Sequence, residues 1–136
     1  MGMKIMECDP KKREEVDKMM NAIKVRYGAV PLVTEVLSER PDKFIPMVHT
    51  ATQIMEKDSS FDSKTRYLLA LSAAAALGGE HCIRLQMNHA LEAGATRDEV
   101  LEALLISSYM SMTRSQSYSF RIFQEIYGKC DMPKTE

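Results

Sequence analysis

The sequence has no tryptophan and only three cysteines, Cys8, Cys82 and Cys130. Cysteines this few and this far apart, with no Cys-x-x-Cys, exclude a disulfide scaffold and point to a reducing compartment. No Cys/His cluster has zinc-finger spacing. A net charge of −1 excludes a global field that would draw in nucleic acid or acidic lipid. The most basic run, Lys11-Lys12-Arg13, is answered at once by Glu14 and Glu15 and reads as a solvated helix start. The longest uncharged stretch, Tyr67 to Gly79, is too short for a bilayer span, which needs about 20 apolar residues. The first residues carry no apolar run of signal-peptide length, so the expected location is cytoplasmic. Neither a Gly-rich phosphate loop nor a strand–Gly-x-Ser-x-Gly–helix context occurs, so no nucleotide cofactor and no serine nucleophile are expected.

What is there is helical. In 136 residues, 45% hydrophobic and 27% charged, strand signals are nearly absent and apolar positions recur at helical spacing. The eleven methionines suit adaptable helix packing. The expected fold class is all-α: one domain over residues 1–136, a bundle of about six to seven helices.

The punctuation is clear. Asp9-Pro10 starts a first helix with Val16, Met19, Met20, Ile23 and Tyr27 on one face, and Gly28 ends it. A short helix after Pro31 turns Leu32, Val33, Val36 and Leu37 inward and stops before Pro41. A third runs from about Asp42 to Lys57, with Phe44, Ile45, Val48, Thr52 and Met55 inward and Pro46 in its first turn. Asp62 or Ser63 caps a fourth, whose small-residue end, Ala70 to Leu77, suits a bundle centre or a subunit interface. Gly78-Gly79 breaks it. A fifth runs from Glu80 to about Ala93. Thr96 and Glu99 form a capping box for a sixth, with Val100, Leu101, Leu104, Leu105, Ser108 and Met112 continuing it. A last helix is expected over Ser117 to Tyr127, with Phe120, Phe123 and Ile126 inward. Tyr109 and the serines at 107, 108, 115 and 117 read as capping hydroxyls rather than a cavity lining.

Chemistry concentrates at Glu80-His81-Cys82. Cys82 falls in the first turn of the fifth helix, where the dipole and the unpaired amides favour a thiolate. His81 is adjacent, about 100° round the helix. Gln86 and His89 share the face of Cys82, with His89 roughly 10 Å further along the axis. A lone cysteine is also often a small buried apolar residue. His81, Cys82, His89 and Glu92 offer metal-ligand types but no three ligands on one face, so no metal is expected.

The run from Phe61 to about Met112 resembles the carboxymuconolactone decarboxylase and alkylhydroperoxidase-D-like family. The resemblance rests on Asp62-Ser63-Lys64-Thr65-Arg66, Leu68 to Gly78, Cys82-Ile83, Ala90 to Thr96 and Glu99 to Leu104. It implies an alkylhydroperoxidase-D-like helical fold that assembles as a homotrimer or hexamer. In the peroxidase-like members, a glutamate activates a Cys-x-His-Cys pair followed by a further histidine. Carried over, the second cysteine is Cys82 and the inner histidine is His81. The first cysteine falls on Gly79, the later histidine on Gln86 and the glutamate near Tyr67, with Glu80 close in sequence. A two-cysteine cycle therefore cannot run within this motif. Decarboxylase members carry a histidine where Gln86 stands, for which His89 is the nearest substitute.

Three functions follow as expectations. The first is a thiol-dependent antioxidant or peroxidase-like oxidoreductase using Cys82, His81, Glu80 and His89. A small thiol or a protein reductant would then be its partner. The second is an acid–base lyase of the decarboxylase type. The third is a non-catalytic binding or assembly module on the same fold.

Overall fold

A computed structural model describes residues 9–57 and 59–129, and among them every regular element is an α-helix. The helices are α1 (Pro10–Tyr27), α2 (Leu32–Ser38), α3 (Pro41–Glu56), α4 (Ser63–Leu77), α5 (Glu80–Glu92) and α6 (Arg97–Tyr127). They fall into two compact units, Met1–Ser60 and Phe61–Glu136.

The first unit holds α1 to α3. Asp9 caps α1 by accepting the Lys11 amide at 3.0 Å, and Pro10 supplies the first helical φ. Near one end Glu15 of α1 approaches His49 of α3 at 4.0 Å, and near the other Arg26 pairs with Glu56. The two helices therefore run in the same direction, and α2 returns the chain between them. Val16 and Phe44 are the fully buried apolar side chains here.

Leu32, Val33 and Val36, predicted inward, are 73%, 77% and 56% exposed; Leu37 alone of that set turns in. A seven-residue helix has one narrow inner face, and buried Ser38 shares it, its hydroxyl donating to the Glu35 carbonyl at 2.6 Å. Pro46 lies in the second turn of α3, one turn deeper than predicted, and the helix carries through it. The amide bond that Pro46 cannot make to Asp42 lies on an exposed face, where water can replace it.

The second unit positions the candidate site. Asp62 caps α4 by accepting the Thr65 amide at 2.7 Å. Gly78 ends it in the left-handed conformation, φ 78°, which spares the Cβ penalty. Its amide and that of Gly79 both reach the Ala74 carbonyl, at 3.0 and 3.3 Å. The chain thus reverses over two residues, and α5 starts at Glu80. Gly94, φ 90°, repeats the device before α6.

Leu71, Ala90, Ala95 and Val100 form the buried cluster, flanked by Tyr67, Leu68, Ile83, Met87 and Leu104. Burying a side chain such as Leu71 contributes about 2 kcal/mol. Two cross-links set the register of α4 against α6. Lys64 pairs with Glu99 at 2.8 Å, and the Ser107 hydroxyl donates to the Ser72 carbonyl at 2.8 Å. Both links span 35 residues, so the two helices run in the same direction, in step.

α6 differs most from expectation. The predicted break between Met112 and Ser117 does not occur, and one helix of 31 residues runs roughly 46 Å. No glycine or proline interrupts it. Three of its hydroxyls bond back onto the helix itself: Ser108 donates to Leu104, Thr113 to Met110 and Ser119 to Ser115. Beyond Ser107 no residue of α6 is buried. Phe120, Phe123 and Ile126, predicted inward, are 60%, 57% and 67% exposed, because among its described residues the second unit brings no other helix over this end of α6. Leu77, 85% exposed, likewise leaves the small-residue end of α4 partly open. Among the described residues, no helix is long and apolar enough to cross a membrane.

Candidate functional site at the start of α5

Gly79 is extended, φ −83° and ψ 94°, and makes no side-chain cap for α5. The first turn is therefore Glu80, His81 and Cys82, set on the reversal that Gly78 creates. Cys82 is a free thiol exposed to solvent. A Cβ placed on Gly79 would lie 3.7 Å from Cys82 Cβ and 3.9 Å from its sulfur. The glycine leaves a notch beside the thiol.

The other predicted site residues separate. Glu80 is exposed and its carboxylate pairs one turn along with Arg84 at 3.1 Å. That i,i+4 pair holds the acid at the helix surface. His81 is also exposed. His89 is buried at 9% exposure, its ring centroid 5.0 Å from that of Tyr67 on α4. Tyr67 lies near the start of α4 and His89 near the end of α5, so this contact also makes the pair an antiparallel hairpin. Glu80, His81 and Cys82 thus share one exposed turn, while His89 belongs to the α4–α5 interface.

Two features escaped the sequence. Tyr67 against His89 requires knowing how α4 and α5 face each other. Gln86, one turn beyond Cys82, has its side-chain oxygen buried with no hydrogen-bond donor among the described residues. A buried acceptor without a donor is costly. The spacing from Cys82 marked Gln86 as facing the same way, but not its burial.

Electrostatics are strongest away from the thiol. Glu99 accepts from Lys64 and, through its other oxygen, from the Thr96 amide, completing the predicted capping box. The Lys64 hydrogen bond, then the Thr96 amide, hold the Glu99 carboxyl below the usual glutamate range; Glu99 in turn raises Lys64. The Thr65 amide lowers Asp62 in the same way. These groups fix the ends of α4 and α6, and so the frame in which α5 sits. Among the described residues, no three His, Cys, Asp or Glu side chains converge to hold a metal ion.

A family profile, that of the carboxymuconolactone decarboxylase family, matches residues 41–125, more than half of the chain. The chain belongs to this family. The match takes in α3, α4, α5 and nearly all of α6, and leaves α1 and α2 outside. No curated protein and no solved structure matches significantly. Family membership fits the six helices, without strands, of the described residues and does not distinguish peroxidase-like from decarboxylase-like chemistry.

Proposed function

We propose that the protein is a thiol-dependent peroxidase-like oxidoreductase in which Cys82 is the reacting group. The observation that carries this reading is the position of the sulfur: exposed, in the first turn of α5, beside the notch at Gly79. A peroxide needs that access. The Cys82 sulfur attacks one peroxide oxygen, the O–O bond breaks, and the leaving oxygen departs as an alcohol or water once protonated. Cys82 becomes a sulfenic acid. A low-molecular-weight thiol then condenses with it, releasing water and forming a mixed disulfide. A second equivalent of that thiol releases Cys82 and carries away the oxidised pair. His81 and Glu80, exposed on the same turn, are the proton-handling groups in this scheme. His89, packed on Tyr67, supports the α4–α5 geometry.

The acid–base alternative assigns the proton transfer to His89 or to His81, of which only His89 is held inside the α4–α5 interface. The burial of His89 beside Tyr67 counts against it as the base, because a lactone would have to displace that packing to reach the ring; exposed His81 is the base left to that reading.

Homo-oligomer formation, as a trimer or hexamer, is part of the proposal. Leu105, Ile106, Tyr109, Ile122, Phe123 and Ile126 are all more than half exposed on a single helix. Large apolar side chains exposed in that number mark an interaction face.

The test is peroxide consumption by the full chain with dithiothreitol as reductant, comparing wild type, Cys82→Ser and Cys130→Ser. The proposal expects activity to vanish with Cys82→Ser and to survive Cys130→Ser. Turnover of a γ-lactone acid that survives Cys82→Ser, without peroxide consumption by the wild type, would transfer the function to the acid–base reading.

A further inference from the structure

The first unit contains a hollow that the proposed chemistry does not use. It lies between α1, α2 and α3 and measures about 430 Å³. That falls in the range of small-molecule sites, about 300–1,000 Å³. Fully buried Phe44 forms part of its wall, and Ile23, Leu37 and Val48 line it from three helices. Two of those helices, α1 and α2, lie outside the segment matched to the family. The hollow is therefore built as much from helices outside the matched segment as from α3 within it.

Its two charged groups stand at one end. Arg26 and Glu56, which line it, sit at the C-terminal ends of α1 and α3 and pair with each other. Their side chains are 32% and 38% exposed. The guanidinium also lies 5.4 Å from the centre of the Tyr27 ring. A positive donor and a negative acceptor thus stand side by side with no net charge, and the remaining wall is largely apolar.

We propose that this hollow binds a small neutral amphiphile, a molecule with an apolar body and one hydroxyl or amide head. The head sits at the Arg26–Glu56 end, where a group that both donates and accepts can bond each partner. A full charge of either sign would meet one like charge there and would give up its hydration for no net attraction. The apolar body fills the hollow, and the flexible side chains of Met19, Met47 and Met55 adapt to its shape. A helix of a second copy is the wrong size for it. A hollow of 430 Å³ holds about one turn of a helix about 10 Å wide.

The test uses the full chain and the neutral fluorescent probe N-phenyl-1-naphthylamine, displaced by decanol, decanoate or decyltrimethylammonium. The expected result is saturable probe binding at one site per chain, with decanol displacing it at least tenfold more tightly than either charged compound. Val48→Trp and, nearer the rim, Ala51→Trp should each abolish probe binding while helical circular dichroism is retained. Glu56→Gln should shift the preference towards decanoate, and Cys82→Ser, which abolishes peroxide consumption, should leave probe binding as it is. No saturable binding, equal affinity for the three decyl compounds, or undiminished binding by a folded filled variant would overturn the proposal. So would filled variants that lose binding only because the oligomer dissociates, read by sedimentation.

Discussion

Gly79 and Cys82 stand so that a Cβ on the glycine would lie 3.7 Å from Cys82 Cβ, within the roughly 3.5–4.5 Å range of disulfides. Residue 79 has φ −83° and ψ 94°, which any L residue can adopt. Gly79→Cys should therefore form an intramolecular disulfide with Cys82 on mild oxidation. Thiol counting and peptide mapping under non-reducing conditions check it. A Gly79→Cys chain that keeps both thiols reduced, or that links the introduced thiol elsewhere, would show that the first turn of α5 is not set as described.

The ends of α4 and α6 make stability pH-dependent. Folding holds Glu99 and Asp62 below their ordinary carboxyl range. Their contribution is complete above the unfolded values, about 4, and is lost as pH falls through the lower folded values. Lys64, raised by Glu99, acts at the other extreme: its contribution holds at neutral pH and is lost as pH rises through the folded value. Glu99→Gln should lower stability at pH 7 and flatten its decline in acid. Urea midpoints from pH 7 to pH 2 measure both. An acid limb unchanged from the wild type would remove Glu99 from this role.

Local and tertiary contributions can be told apart by magnitude. Thr96→Ala removes the side-chain acceptor that caps α6 and should cost about 1 kcal/mol. Leu71→Ala empties a fully buried position and should cost about 2–5 kcal/mol. Ser119→Ala, on the exposed face of α6, should change stability by less than about 0.5 kcal/mol. Equilibrium urea unfolding of the three variants gives the ranking.

The exposed half of α6 makes a prediction about assembly. Phe123→Asp puts a charge among Phe120, Ile122 and Ile126 but leaves the Leu71–Val100 cluster untouched. Sedimentation should show a smaller species with near-native helical content. An unchanged sedimentation coefficient would place the subunit contact elsewhere.

The helix ends were legible because they are chemical. Asp9-Pro10, Asp62, Gly78 and the Thr96–Glu99 box each satisfy or terminate a backbone in a way that one residue type dictates, and all occur where the pattern puts them. The course of α6 was harder to read. Serines at 107, 108 and 115 resemble caps in sequence, yet inside a helix a hydroxyl can bond a carbonyl one turn back, as Ser108 does. The inward face of α2 failed for a different reason, since its pattern of three branched side chains records apolarity without saying what covers it.

The candidate site was legible to the extent that it is local. The place of Cys82 in the first turn of α5 follows from Gly78-Gly79; the Glu80–Arg84 pair, equally local, went unread although its spacing is one helical turn. Lys64 with Glu99, and Tyr67 with His89, were not legible, because each depends on how two helices pack. The thiol-facing notch at Gly79 needed the backbone angle as well as the residue.

The reactivity of Cys82 is tested most directly by titrating the full chain with hydrogen peroxide, trapping sulfenic acid with dimedone and quantifying each cysteine by mass spectrometry. Cys82 should carry the adduct at substoichiometric peroxide, ahead of Cys8 and Cys130. Adducts on Cys8 or Cys130 while Cys82 stays reduced would contradict this order of reactivity.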